Sequence, residues 1–229
     1  MTRQTPQDDD IFLKGRIVAL RQPDIEKDVL RGHWHSWFND RDTTEYLVHG
    51  VYPVNREQQA EIVAREMADP TSLLLVALEK ETSRHIGVLS LKSINPALRT
   101  ASLSIVFGDR SVSGAALESV ALLTKHGFDR LNLQRIYGGQ HAGHWRWMNT
   151  LELIGYRLDG YQQDYAIRNG EKYDTVSYAI TSDRFYRLQG QRGGNICGDR
   201  LDELLKQKSP KNKTALMKQF FHDLYDGGQ

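Results

Sequence analysis

Residues 108–118 decide the fold and read Gly108-Asp109-Arg110-Ser111-Val112-Ser113-Gly114-Ala115-Ala116-Leu117-Glu118. An apolar run ends at Gly108, a loop of small residues follows, and a helical pattern begins near Gly114. The start of a helix presents free backbone N–H groups and the positive end of the helix dipole. Small residues let a ligand approach that backbone closely, so the junction suits a phosphate group. Because strand–glycine–helix junctions are common, the interpretation depends on the surrounding elements.

The segments on both sides of this junction predict strands that alternate with helices. Before it, we expect a strand at 11–21, a helix from Asp24 to about Phe38, a long loop, and a helix opened by a capping box of Asn55 and Gln58. Further predicted strands lie at 72–79, 84–92, 100–108, 133–139, 156–167 and 173–181, with helices at 114–129 and 144–153. This order predicts an α/β protein with a mixed sheet and helices on both faces.

The composition narrows the class of protein. The 229 residues are 39% hydrophobic and 26% charged, which is enough to bury a core. Lys+Arg 30 against Asp+Glu 29 leaves a net charge of +1, so a nucleic-acid partner is not expected. The single cysteine, Cys197, excludes an intrachain disulfide and cysteine-based metal sites, and we expect no metal. The longest apolar run, Leu73 to Leu78, is too short for a membrane span, so a cytoplasmic location is expected.

The chain divides into three predicted parts: a loose tail at 1–10, a compact domain at 11–186 and an extension at 187–229. The extension opens with a glycine-rich stretch at 189–194, which we interpret as a flexible linker. Two amphipathic helical patterns follow and are separated by Ser209-Pro210. Such patterns favour packing on the chain's own domain or on a second subunit, so a homodimer or another partner is expected here. Docking to an acidic partner or RNA is the less favoured alternative.

Several motifs along residues 15–186 resemble one family, the GNAT superfamily of acyl-CoA N-acyltransferases, and best its RimJ/RimL-like branch. The loop Ser111–Ala116 resembles the family pattern Gln/Arg-x-x-Gly-x-Gly/Ala, with Ser111 replacing the first residue. The other motifs that carry the resemblance are Trp37–Asp40, Phe128–Ile136, Leu153–Gly160 and Tyr173–Tyr178. Their order and spacing together are more specific than any one of them.

The resemblance implies a GNAT fold in which the strand at 100–108 splays from the strand at 133–139. It also implies acetyl-CoA as the acetyl donor. The opening would receive the pantetheine arm beside the backbone of Ile105, Val106 and Phe107. The pyrophosphate would rest on the loop residues Ser111, Val112, Ser113, Gly114, Ala115 and Ala116.

The positions that carry chemistry in the family are occupied by other residues here. Ser102 stands where the family often has a glutamate base, and Leu151 stands where it often has a tyrosine acid. His144 matches the usual asparagine near the cofactor. Because histidine titrates near pH 7, His144 is the main catalytic candidate, with Ser102 beside it. Proximity and orientation supply much of the rate in such a transfer, so the reaction does not require a strong base.

The resemblance places the acceptor pocket at the first helices, their loop and the last hairpin, with the candidate residues Trp37, Asn39, Asp40, Tyr46 and His49. Aromatic side chains there suit sugars, bases or peptides. The favoured acceptor is a small-molecule amine, such as a nucleotide-linked aminosugar. A protein N-terminus is the alternative within the enzyme class. A degenerate, non-catalytic fold that acts through its C-terminal helices is the alternative outside it.

Overall fold

The computed structural model describes residues 10–47 and 50–225. Within these residues, a mixed sheet of eight strands has the order β1-β2-β3-β4-β5-β6-β8-β7. Only β5 and β6 pair in parallel, and all other neighbours among the described strands are antiparallel. The strands are β1 (Leu13–Lys14), β2 (Val18–Arg21), β3 (Leu73–Glu79), β4 (His85–Asn95), β5 (Thr100–Phe107), β6 (Arg135–His141), β7 (Arg157–Arg168) and β8 (Glu171–Thr181). The predicted mixed sheet is confirmed.

Helices cover both faces of the sheet, as predicted. They are α1 (Trp34–Asn39), α2 (Arg41–Thr44), α3 (Arg56–Ala68), α4 (Ala115–Asp129), α5 (Trp145–Leu151), α6 (Ser182–Gln191), α7 (Leu201–Lys206) and α8 (Lys213–Tyr225). The larger apolar cluster joins the sheet to α4, α5, α6 and α7, and the smaller one joins the opposite face to α1 and α3. None of the helices in the described ranges combines the length and apolar character that crossing a membrane requires.

Local sequence signals at helix and hairpin ends are confirmed. The side chains of Asn55 and Gln58 form the predicted reciprocal capping box at the start of α3. Gly155 ends the turn after α5 with φ +101°, the left-handed conformation that favours glycine. Asn169 and Gly170 both have positive φ in the turn between β7 and β8, as two-residue hairpin turns require.

The first predicted strand and helix are each divided in the structure. The segment 11–21 forms two strands, β1 and β2, which pair with each other around a turn at Gly15. The segment 24–38 forms a wide π-type turn at Ile25–Leu30, capped by Asp24, and then α1. The break falls at Gly32, where a Cβ would collide with the backbone carbonyl of Asp28. The turn at Gly15 passes close to the side chain of Glu118, and Gly32 lies close to the backbone of Asp28; residue propensities reveal neither contact.

The predicted linker at 189–194 is wrong for its first half, because α6 (Ser182–Gln191) continues through it, and the boundary at 186 falls inside this helix; residues 192–194 form a turn. Phe185 is fully buried in the core, which explains why the glycine at 190 does not end the helix. The two amphipathic patterns are confirmed as α7 and α8. Leu201 and Leu204 of α7 lie in the main core, so the extension packs on its own domain. On α8, a stripe of Leu216, Phe220 and Leu224 stays exposed.

Candidate active site

The centre of the sheet opens into a fork between β5 and β6. The two strands pair only where Thr100–Ser102 face Arg135–Tyr137, and beyond Ser102 they separate. On its other edge, β5 stays paired with β4 up to Phe107. A register irregularity at Lys92–Asn95 lies level with the start of the fork. One edge of the β5 backbone therefore faces the fork over 103–107, which is the splay that the family resemblance implies.

The three β5 residues expected beside the pantetheine arm divide between the two faces of the sheet. Ile105 and Phe107 pack on the α4 side, and Val106 belongs to the smaller cluster on the α1 side. The ring of Phe107 covers Gly87, where a Cβ would approach the ring to 2.7 Å. Their side chains are thus committed to packing, and their backbone is the part that can meet a ligand.

The loop at 111–116 has the geometry of an anion site. Gly114 caps α4 with φ +81°, and the side chains of Ser111 and Ser113 are exposed. Among the described residues, the N–H groups of Ser113, Gly114 and Ala116 donate to no backbone or side-chain oxygen. A carboxylate of Asp109 accepts from the N–H of Ser111 at 2.9 Å and so shapes the entry to the loop. Free amides at the start of a fifteen-residue helix fit the pyrophosphate of acetyl-CoA.

Glu118 has a structural role. It is 2% exposed, and its two carboxylate oxygens accept the backbone N–H groups of Arg16, Ile17 and Val18 at 2.8, 2.9 and 3.0 Å. A Cβ on Gly15 would lie 2.6 Å from the same carboxylate, so the turn passes tightly over it. Glu118 therefore ties the β1–β2 turn to α4, close behind the phosphate loop.

Four aromatic rings, two of tyrosine and two of histidine, form a stack at the turn that follows β6. Tyr46 stacks on His144 with ring centroids 4.8 Å apart, and Tyr173 stacks on His141 at 4.5 Å. Tyr46 also contacts His141 at 5.3 Å, so the two pairs are continuous. All four side chains are half-buried. The predicted acceptor residue Tyr46 and the predicted catalytic residue His144 are thus brought together, and His141 and Tyr173 complete the stack.

Arginine side chains surround this ring stack. Arg110, in the segment before the phosphate loop, donates to the carbonyl of Asp42 at 3.1 Å. Arg146 lies over the ring of Trp145 at 4.7 Å. Burial and the adjacent carboxylate of Glu45 raise the pKa of Tyr46, and the charge of Arg146 opposes this shift. One nitrogen of Arg168 donates to three carbonyls of the loop that carries Tyr46, namely those of Thr44, Glu45 and Leu47 at 2.8, 3.1 and 2.7 Å.

His144 is neutral at pH 7. Burial, together with the charge of Arg110, lowers its pKa to about 4. Its backbone carbonyl accepts from Nε2 of Gln140 at 2.8 Å, while Oε1 of Gln140 is buried without a partner among the described residues. The expectation that His144 titrates near pH 7 is therefore wrong, because the ring is shielded from water. The orphaned oxygen of Gln140 marks a place where a ligand N–H would be satisfied.

The other predicted acceptor residues have structural contacts. Trp37 covers Gly108, where a Cβ would strike its ring. The side chain of Asn39 exchanges two hydrogen bonds with the backbone of Val54, at 2.8 and 2.9 Å. Asp40 caps α2, and its hydrogen bonds from Thr43 hold the pKa of the carboxyl below its usual range. His49 lies outside the described residues.

The residues at the family's chemical positions differ in their surroundings. Ser102 is half-buried and stands at the last paired position before the fork opens. Leu151 is fully buried in the main core and offers no proton. His85 lies edge-on to Trp34 and Trp37, and burial lowers its pKa to about 4, so it is a packed residue. Across 10–47 and 50–225, no three His, Cys, Asp or Glu side chains are arranged to hold a metal ion.

Sequence reasoning missed Arg110, Arg146, Arg168 and Gln140 as site residues. Arg110 had a usable signal, because it directly precedes the phosphate loop. Gln140 and Arg146 lie within four positions of the predicted residue His144, whereas Arg168 is brought to the site by long-range packing, more than 120 positions from the carbonyls it holds.

Comparison with known proteins identifies the family. A model of the acetyltransferase (GNAT) domain matches residues 18–157, which is more than half of the chain. The chain therefore belongs to the GNAT acetyltransferases, and it is an acetyl-CoA-dependent N-acetyltransferase. No curated protein matches the sequence.

Solved structures share the fold at low identity. A GCN5-related N-acetyltransferase from Brucella melitensis is 17% identical with a TM-score of 0.67, over 84% of this chain and 88% of that one. RimJ from Mycobacterium smegmatis, in complex with CoA-disulfide, is 19% identical with a TM-score of 0.65, over 76% and 89%. A spermidine N-acetyltransferase from Vibrio cholerae, in complex with CoA and spermine, is 19% identical with a TM-score of 0.64, over 74% and 98%. These three similarities concern the fold alone.

Proposed function

We propose that this acetyltransferase acts in the cytoplasm on the amino group of a small molecule, with a nucleotide-linked aminosugar as the preferred acceptor. The observation that carries the proposal is the stack of four rings with two arginines, Arg110 and Arg146, beside it. Stacked rings suit the flat face of a sugar or a base. Guanidinium groups suit a diphosphate, whereas a polyamine needs acidic partners.

The donor side of the reaction uses backbone groups. Acetyl-CoA supplies the acetyl group as a thioester. The free amides of the loop Ser111–Ala116 would hold its pyrophosphate, and the β5 backbone at Ile105–Phe107 would line the pantetheine arm. The buried oxygen of Gln140 is available to accept one of the arm's amide N–H groups.

The acceptor amine must arrive neutral for the transfer to proceed. Its nitrogen attacks the thioester carbonyl carbon, a C–N bond forms, the C–S bond breaks, and one proton passes from nitrogen to the leaving sulfur. With a pKa of about 4, His144 is too weak a base to hold that proton, so we assign it to accepting a hydrogen bond that orients the amine. The hydroxyl of Ser102, at the opening of the fork, is assigned to relaying the proton.

A panel of amines tests the acceptor class. Thiol release would be followed with a nucleoside-diphosphate-linked aminosugar, the free aminosugar, spermidine and a short peptide with a free N-terminus. We expect kcat/KM for the nucleotide-linked sugar to exceed that for spermidine by about a hundredfold, which corresponds to about 2.7 kcal/mol of differential transition-state binding. A preference for spermidine or for the peptide would overturn the assignment.

Substitutions of the two arginines test whether they recognise the phosphates of the acceptor. Arg110→Met and Arg146→Met should lower kcat/KM for the nucleotide-linked sugar about tenfold, and that for the free sugar by much less, because only the first carries phosphates. Arg130→Met, which removes an exposed arginine at the far end of α4, is the matched control. Equal losses on both sugars would contradict a phosphate contact. Absence of thiol release with every amine of the panel would place the acceptor outside these classes and overturn the assignment.

A further inference from the structure

The C-terminal strap, defined here as residues 192–214, fills the groove between α4 and α5. Arg192 donates to the carbonyls of Leu153 and Ile196, both at 2.8 Å, and so anchors the strap to the turn after α5. Ile196, Cys197, Leu201 and Leu204 are nearly fully buried in the main core. The methyl groups of Leu201 reach the N-terminal end of α4, where a Cβ on Gly114 would lie 2.9 Å away.

The strap then crosses to the start of α5. Nδ2 of Asn149 donates to the carbonyls of Ser209 and Lys211 at 2.7 and 2.8 Å. The hydroxyl of Thr214 donates to the carbonyl of Ala142 at 3.0 Å, in the turn that carries His144. Lys213 pairs with Glu152. The strap therefore bridges the phosphate loop and both ends of α5.

The topology places this bridge in the path of a donor molecule. The phosphate loop follows β5, α5 follows β6, and the fork opens between these two strands. A ligand that reaches from the fork to the loop amides must pass between the N-terminal end of α4 and α5. The strap spans that gap, with Leu201 at one side and Ser209–Thr214 at the other.

We propose that the C-terminal strap competes with acetyl-CoA for the mouth of the fork, so that donor binding requires release of the strap. This inference rests on the proposed donor site at 111–116. The contacts at 207–213 are polar and exposed or half-exposed, Thr214 is buried, and at the other end the chain turns at Gly193 and Gly194 with φ +70° and +90°. The apparent Kd for acetyl-CoA is then the intrinsic Kd divided by the fraction of molecules in which the strap is released.

Cys197 makes release measurable in the intact chain. It is the chain's single cysteine and belongs to the strap itself, where burial against the main core raises the pKa of the thiol to about 12. Alkylation by iodoacetamide should therefore be slow in the free protein. Saturating acetyl-CoA, which has no free thiol, should speed it about tenfold, whereas acetyl-pantetheine, which lacks the nucleotide, should not.

A second experiment uses variants that weaken the docking of the strap and leave the loop at 111–116 unchanged. Lys213→Glu, which places a carboxylate against Glu152, combined with Thr214→Val should tighten the Kd for acetyl-CoA about fivefold in calorimetry. Lys208→Glu is the matched control, since Lys208 is exposed and forms no ion pair with another described residue.

The outcomes separate the two proposals. Binding of acetyl-CoA with unchanged or slower alkylation would show that the strap stays docked and would overturn the inference while leaving the donor site intact. Binding by the weakened variant but not by the parent chain would support it strongly. Absence of binding by both would refute the donor site and the strap's role together.

Discussion

Replacement of Glu118 by glutamine should destabilise the fold by about 3 kcal/mol. The carboxylate accepts three backbone N–H groups, and glutamine offers one oxygen and one NH2 group in their place. In the best orientation, the glutamine oxygen keeps the hydrogen bonds from the N–H groups of Ile17 and Val18. Its NH2 group then faces the N–H of Arg16, which is left without an acceptor. Hydrogen bonds to a charged group are each worth about 1.5–3 kcal/mol, and a buried unsatisfied donor costs about 1–3 kcal/mol.

The assay is thermal and urea unfolding of Glu118→Gln beside Glu61→Gln, which changes an exposed residue of α3 in the same way. For a chain of this size, about 3 kcal/mol lowers Tm by about 6–12 °C, and the control should stay within about 2 °C. Acetyl-CoA should still bind the folded fraction, because Glu118 faces the β1–β2 turn and not the loop. A stable variant that has lost acetyl-CoA binding would refute the structural role.

Two further predictions concern the acceptor loop and acid stability. Arg168→Met should raise the acceptor KM about tenfold while the Kd for acetyl-CoA stays unchanged, because the guanidinium holds three loop carbonyls. Arg168→Lys should have an intermediate effect. Equal weakening of the binding of both ligands would contradict this positioning role. Burial lowers the pKa of His85 from 6.5 to about 4. Between these pH values the unfolded chain binds a proton that the folded chain does not, so the free energy of unfolding decreases as the pH falls from 6.5 towards 4. The loss amounts to about 3 kcal/mol in urea unfolding, and His85→Gln should show a flatter profile; identical profiles would refute the assignment to His85.

Structural features that depend on a few neighbouring residues could be predicted from the sequence. The capping box of Asn55 and Gln58, the left-handed Gly155 and the turn at Asn169-Gly170 each depend on a few adjacent residues, and the structure has all of them. The start of α4 belongs to the same class, because the glycine that caps it is visible in the sequence, while phosphate binding at this loop stays a prediction.

Features that depend on long-range contact could not be predicted. The glycine-rich stretch after Arg187 suggested a linker, yet the burial of Phe185 keeps it helical up to Gln191. Histidine at position 144 suggested a group that titrates near pH 7, and only packing against Tyr46 and Arg110 shows otherwise. The three-carbonyl contact of Arg168 has no local sequence signal.

Calorimetry of acetyl-CoA with the parent chain, Ser113→Glu and Ser113→Gln tests the donor site at 111–116. Ser113 is exposed in the phosphate loop, so neither variant strains the backbone or fills the core. A carboxylate about 4 Å from the pyrophosphate costs about 4 kcal/mol per charge pair before screening by salt, and glutamine adds the same bulk without the charge. We expect one-to-one binding by the parent chain, a loss of affinity of about a hundredfold or more with glutamate and of less than about fivefold with glutamine. Equal affinities in all three proteins would show that acetyl-CoA binds elsewhere on the protein.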